Sequence, residues 1–312
     1  IGGLGNDSLQ GSDGINSWNI TGADIGNLNG VASFSEIETL QGGNAADTFT
    51  FSDGASFSGV VNGGAGSDEY NQAAETGAVN VNLSSSFLSN IELFVGNGVD
   101  STLLGPAVNS TWSVTGVDSG TVNSINFSGF NNLTGNTQND TFQISGRSTT
   151  GSINGGLGSD TLTPDDVIKT WNISGTNTGN VTNVFSFSQI ENLAGGNMLD
   201  AFAFNNGSSI SGNVDGGTGS DSVDYSAESG ALSISLASSS FSNIELFIGN
   251  NIDSTLTGPV SSNNWVITGN NDGTVGTVSF NNFNNLIGNV TSDDFQFQNG
   301  SAITGSIDGD TG

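Results

Sequence analysis

Trp18 and Trp171 stand 153 residues apart in this chain, and so do Trp112 and Trp265. The text around them returns in the same register. Gly-Gly-Leu-Gly-Asn-Asp at Gly2 comes back as Gly-Gly-Leu-Gly-Ser-Asp at Gly155, and Ile-Glu-Leu-Phe-Val-Gly at Ile91 comes back as Ile-Glu-Leu-Phe-Ile-Gly at Ile244. A chain written twice in this way buries a core by laying one supersecondary unit against the next. The expected domains are therefore residues 1–153 and 154–312, two superrepeats in tandem. The second includes the start of a further repeat, and the whole reads as a window on a longer array.

A finer beat runs inside the long unit. Gly2, Gly22, Gly42, Gly63, Gly96, Gly116, Gly135 and Gly155 are spaced by 20, 20, 21, 33, 20, 19 and 20 residues. Between these glycines the strand signal is short and alternating, as in Asp-Thr-Phe-Thr-Phe at Asp47, Asp-Ala-Phe-Ala-Phe at Asp200, Trp-Asn-Ile at Trp18 and Trp-Ser-Val at Trp112. Period two puts one face inward and the other toward water, and glycine at the turns supplies positive φ. Helical periodicity is absent. The fold expected from this pattern is all-β, a parallel β-solenoid (β-helix) of about 20 residues per coil. Phe49, Phe51, Phe142, Phe202, Phe204, Phe295 and Phe297 should then form interior columns. Each tryptophan is followed two residues later by Ile20, Val114, Ile173 or Ile267, so the indoles read as core rather than as a sugar-stacking stripe. Pro106 and Pro259, each after a glycine, mark a turn in each copy.

Composition narrows the class of function. Thirty acidic residues against two basic ones leave a net charge of −28, which excludes nucleic acid and anionic membrane as partners of this surface. With no cysteine, stability must come from stacking or from metal. No run is apolar enough to insert in a membrane. The 19 Phe and 4 Trp at repeated positions argue against disorder.

Chemistry is concentrated in Gly-Gly-x-Gly-x-Asp. Its occurrences give Asp7 in the first motif; Gly63, Gly64, Gly66 and Asp68 in the second; Gly155, Gly156, Gly158 and Asp160 in the third; and Gly216, Gly217, Gly219 and Asp221 in the fourth. Carbonyls of a glycine turn together with an Asp carboxylate suit a hard oxygen-seeking cation such as calcium. The same residues equally make a tight corner closed by an Asx hydrogen bond. The aspartates lie 61, 92 and 61 residues apart, so consecutive motifs cannot sandwich an ion, and Asp24, Asp47 or Asp140 would have to complete a site. In-register stacking also sets like carboxylates about 5 Å apart, a repulsion relieved where Glu38, Glu92, Glu191 and Glu245 give way to Asn131 and Asn284.

The stretches from Gly63 to Gly105 and from Gly216 to Gly258 resemble the haemolysin-type (RTX-like) calcium-binding repeats of large secreted bacterial proteins. The first has Asp-x-Tyr at Asp68 and the second Asp-x-Val-x-Tyr at Asp221, each followed by Ile-Glu-Leu-Phe and Asp-Ser-Thr-Leu. That resemblance implies an extracellular, cell-surface protein of adhesin type, with calcium as cofactor and other copies of itself or continuing repeats end to end as partners. The function so implied is a rigid rod, filament or stalk, with a calcium-dependent carbohydrate- or surface-binding module, meeting cell-surface polysaccharide, as the alternative. Catalysis is not expected: the two bases, Arg147 and Lys169, have no counterpart in the other copy, and no singular constellation of acids stands out.

Overall fold

The computed structural model describes residues 2–145, 150–182 and 184–311. Arg147 lies outside the described residues. The chain divides into two compact units, Ile1–Gly158 and Ser159–Gly312. All regular structure among the described residues is β. No helix there is long and apolar enough to cross a membrane.

In the first unit the tryptophan strand Ser17–Gly22 pairs in parallel with Thr48–Phe51, which pairs in parallel with Glu69–Asn71 and then Leu93–Val95. On its other side the same strand folds back on itself, antiparallel to Ile25–Leu28, which is antiparallel to Ala32–Ser35. The second tryptophan strand, Thr111–Gly116, does likewise with Ser119–Val122 and Ile125–Ser128. In the second unit the meanders are Lys169–Gly175 with Thr178–Val181 and Phe185–Ser188, and Asn264–Ile267 with Gly273–Val275 and Val278–Asn281.

The sheets are therefore mixed, and the expectation of a uniform parallel β-solenoid is wrong. The physical reason lies at two turns. Asp24 (φ 55°), Asn29 (φ 55°) and Gly30 (φ 66°) take left-handed backbone, so the segment between Gly22 and Ser35 reverses twice instead of travelling once around a coil. Alternation announces a strand without announcing its direction. The rigid rod, filament or stalk function rested on uniform parallel stacking, and it falls with it. So do the solenoid, RTX-like and adhesin descriptions.

The core follows the alternation closely. Trp18 and Ile20 are fully buried and Asn19 between them is not. Each indole stacks on the phenylalanine of the parallel neighbour strand: Trp18 on Phe49 at 5.5 Å, Trp112 on Phe142 at 5.4 Å, Trp171 on Phe202 at 5.4 Å and Trp265 on Phe295 at 5.3 Å. Each also meets a meander phenylalanine edge-on, Phe34, Phe127, Phe187 or Phe280. The tryptophans are core, as their spacing suggested. Phe297 breaks the expected column: it is 51% exposed, because the strand Asp294–Phe297 ends its sheet and pairs with Asn264–Ile267 on one side.

Shorter parallel ladders complete each unit. In the first, Ser8–Gln10, Thr39–Gln41, Val60–Asn62 and Leu88–Ser89 form one, and Asn80–Asn82, Thr102–Leu104, Asn132–Asn136 and Ser152–Gly156 form another. One ladder ends at Leu88–Ser89 and the other begins at Asn80–Asn82. Both strands belong to the 33-residue glycine step, which is thus a place where the chain changes sheets.

Candidate functional site

The glycine–aspartate corners sit where strands leave the small ladders, and they are built by close approach of backbone. A Cβ on Gly42 would lie 1.9 Å from the carbonyl oxygen of Gly63, and one on Gly63 would lie 1.9 Å from that of Asn90. No side chain fits. The second and fourth motif residues carry the left-handed backbone: Gly64 (φ 101°), Gly66 (φ 132°), Gly156 (φ 97°), Gly158 (φ 138°), Gly217 (φ 84°) and Gly219 (φ 154°).

The aspartates work as acceptors for main-chain N–H groups of the neighbouring turn. Asp68 Oδ1 accepts from Asp47 N at 2.7 Å, and Asp47 Oδ1 accepts from Asn16 N at 2.7 Å. Asp221 Oδ1 accepts from Asp200 N at 2.7 Å. The glutamates continue the same pattern one turn on. Glu92, Glu245, Glu191 and Glu38 accept through Oε2 from the N–H of Asp68, Asp221, Asp160 and Asp7 at 2.7 to 2.9 Å. Where the sequence writes Asn, the amide oxygen does the same work, Asn131 for Ser101 N and Asn284 for Ser254 N. The acid and amide ladder noticed in the sequence is thus a ladder of backbone caps.

The corner carbonyls are engaged as well. Gly43 O accepts from Ala65 N at 3.0 Å, Asn136 O from Leu157 N at 2.8 Å and Gly196 O from Thr218 N at 2.7 Å. Asp24, one of the residues expected to complete a cation site, instead caps Ser58 N at 2.6 Å, and Asp140 caps Ser110 N at 2.8 Å. Asp47 meets Asp68 through its N–H rather than its carboxylate. Most of the oxygens these corners could offer a calcium ion accept from N–H donors instead. Among the described residues no group of three or more acidic side chains is placed to hold a metal. Asp7 is partly exposed at its own corner, and the motif from Gly155 to Asp160 straddles the division between the two units.

One oxygen at two corners has no N–H to accept. Asp47 Oδ2 receives Gly43 N at 2.7 Å, but Gly64 N and Gly217 N turn away to Asn62 Oδ1 and Asp215 Oδ1, both at 3.1 Å. Asp68 Oδ2 and Asp221 Oδ2 are left buried without a hydrogen-bond partner. Burial pushes both carboxyls above the ordinary aspartate value, and the acids beside them, Asp47 and Glu92 or Glu245 and Asp215, push the same way. Burial raises Asp140 too, and it carries Asp200 to about 6, despite the Trp171 indole N–H that donates to its Oδ1 at 3.3 Å.

A second feature escaped the sequence reading. Beside the edge strand Asn80–Asn82 lies a cleft of about 310 Å³ lined by Asn80, Asn82, Thr102, Leu104 and Thr134. On the strand's other flank a hollow of about 210 Å³ is bordered by Phe57, Tyr70 and Phe87, and Phe87 is 56% exposed. Both lie at the change of sheets. The corresponding hollow in the second unit, beside Leu236, Phe241 and Phe247, is about 150 Å³. The irregular 33-residue step was the available signal.

No family model, curated protein or solved structure matches the chain.

Proposed function

We propose that the chain is a non-catalytic recognition module, working outside the cell, that takes an uncharged polysaccharide strand in the cleft along Asn80–Asn82. The observation that carries this reading is the lining of that cleft. Exposed amides at Asn80 and Asn82, two apart and so on one face of the strand, flank an apolar strip made by Leu104 and the methyls of Thr102 and Thr134. The Asn80 amide offers a donor and an acceptor together, and Asn82, whose Oδ1 accepts from Ser84 N at 2.8 Å, offers its donor; both suit sugar hydroxyls, and the apolar strip suits the C–H face of a sugar ring. The charge of −28 turns away polyanions and no charged side chain lines the cleft, so a neutral ligand fits it best. Calcium plays no part in it. One oxygen of most corner acids caps a main-chain N–H group, a structural task that supports a role without catalysis.

Calorimetric titration of the whole chain with neutral gluco-oligosaccharides of increasing length tests the reading. Binding should strengthen with length until the cleft is filled, and Asn80→Ala with Asn82→Ala should weaken it at least tenfold with the fold unchanged. Absence of binding to neutral oligosaccharides, or binding indifferent to both substitutions, would overturn it.

A further inference from the structure

Lys169 is out of keeping with its position. It stands two residues ahead of Trp171, where Asn16, Ser110 and Asn263 stand ahead of the other tryptophans. Those three donate their main-chain N–H to the carboxylate of the parallel neighbour strand, and Asn16 and Asn263 add a side-chain amide to the same oxygen, on Asp47 at 2.6 Å and on Asp293 at 2.9 Å. Lys169 makes neither bond. Its side chain is 5% exposed and its Nζ is in contact with Asp165 Oδ1. The loop between them is held at both ends, by the strand Thr161–Thr163 and by the strand Lys169–Gly175, and it is tightened by Val167 N on Asp165 O at 2.8 Å. Asp166 points elsewhere, to Asn197 N and Nδ2. Across the ladder, Lys169 pairs with Asp200.

We propose that the Lys169 side chain and the Asp165 carboxyl condense after folding into an amide cross-link, with Asp200 carrying the protons. The bond-forming state is the neutral amine beside the neutral carboxyl, one proton having passed from Nζ to Asp165 across their contact. The free amine then attacks Cγ of Asp165. Nζ–Cγ forms, one Cγ–O bond breaks, and that oxygen leaves as water after taking a proton from the Asp200 carboxyl. Asp200 is restored by the proton that Nζ releases, and no oxidant, reductant or cofactor is consumed. Burial keeps Asp200 protonated further up the pH scale than an exposed aspartate. Holding amine and acid in contact replaces an encounter in solution by an intramolecular step.

The measurement is the intact mass of the purified chain, with a tryptic map. The cross-linked protein is lighter than its sequence by one water and resists trypsin at Lys169. Lys169→Arg and Asp165→Ala both restore the full sequence mass, and Asp200→Asn slows or stops the loss of water. A native chain at full sequence mass, cut by trypsin at Lys169, is an ion pair only and overturns the proposal. Complete loss of water in Asp200→Asn, at the native rate, removes Asp200 from it.

Discussion

Asp68 Oδ1 accepts the main-chain N–H of Asp47 at 2.7 Å, and 153 residues on, Asp221 does the same for Asp200 at the same distance. The bond runs from one turn of chain to the next, and in the first copy its donor, Asp47, is itself the acceptor for Asn16 N. Stacked strands that end in a glycine corner leave N–H groups facing a neighbour with no carbonyl in reach. A carboxylate or amide oxygen at one fixed place fills that gap. This accounts for the recurrence of Asp, Glu and Asn at the corners without appeal to a bound ion.

Removing the acceptor should cost more than removing its charge. Asp68→Ala strands the buried Asp47 N–H and should lower stability by about 1–3 kcal/mol. Asp68→Asn keeps an acceptor for Asp47 and replaces the unpartnered buried carboxylate oxygen by part of an uncharged amide, so its stability should lie above that of Asp68→Ala. Urea midpoints of the two variants, and of the same pair at Asp221, check the order.

Stability should fall as pH rises from the ordinary aspartate value to neutral. Asp200 has its carboxyl raised from 3.8 to about 6 by burial, so in that window the folded chain holds a proton that the unfolded chain has released. The contribution is fully present below pH 3.8 and is lost as pH rises through 6. Asp68, Asp140 and Asp221 shift in the same direction. Asp53, exposed, and Glu228, partly exposed, are held down by N–H donors from Thr76 and Gly207 and act in the opposite sense below that window. Denaturation midpoints at pH 4 and pH 7 should differ accordingly, and Asp200→Asn should reduce the difference.

Gly105 and Gly258 should not tolerate a side chain. A Cβ at either would stand 2.8 Å from Cζ2 of the buried Trp112 or Trp265. Gly105→Ala must shift that ring against Phe142 and should destabilise by about 1–3 kcal/mol. Trp112→Ala, which opens a cavity at a fully buried site, should cost about 3–5 kcal/mol. Thermal and urea unfolding followed by circular dichroism give both values.

Much of the core could be read from the residues because burial obeys a local rule. Trp18, Ile20, Phe49 and Phe51 are inward because they alternate with polar neighbours, and period two is visible in any short strand. Strand direction is not local in the same way. The reversal at Asn29-Gly30 carries a recognised turn dipeptide, whereas the equivalent reversals at Asn123 and Gly276 use one left-handed residue each in otherwise ordinary text, and a 20-residue glycine spacing is met equally by one coil or by a folded-back meander. The corner residues were legible as a set, since Gly-Gly-x-Gly-x-Asp singles them out. Their chemistry was not, because an Asp oxygen aimed at a cation and one aimed at a neighbouring N–H require the same sequence. The cleft at Asn80–Asn82 depends on which ladder each strand joins, and nothing in the strand itself states that.

The central claim is that the corner carboxylates cap backbone rather than hold calcium, and the most direct measurement is thermal unfolding by circular dichroism in calcium, in chelator, and in sodium chloride of matched ionic strength. The account predicts a β spectrum present in chelator and the same midpoint in calcium as in matched salt, since a chain of charge −28 gains from screening by any electrolyte. A chain that is unfolded in chelator and folds on adding calcium, with Asp68→Asn and Asp221→Asn abolishing the response, would contradict it.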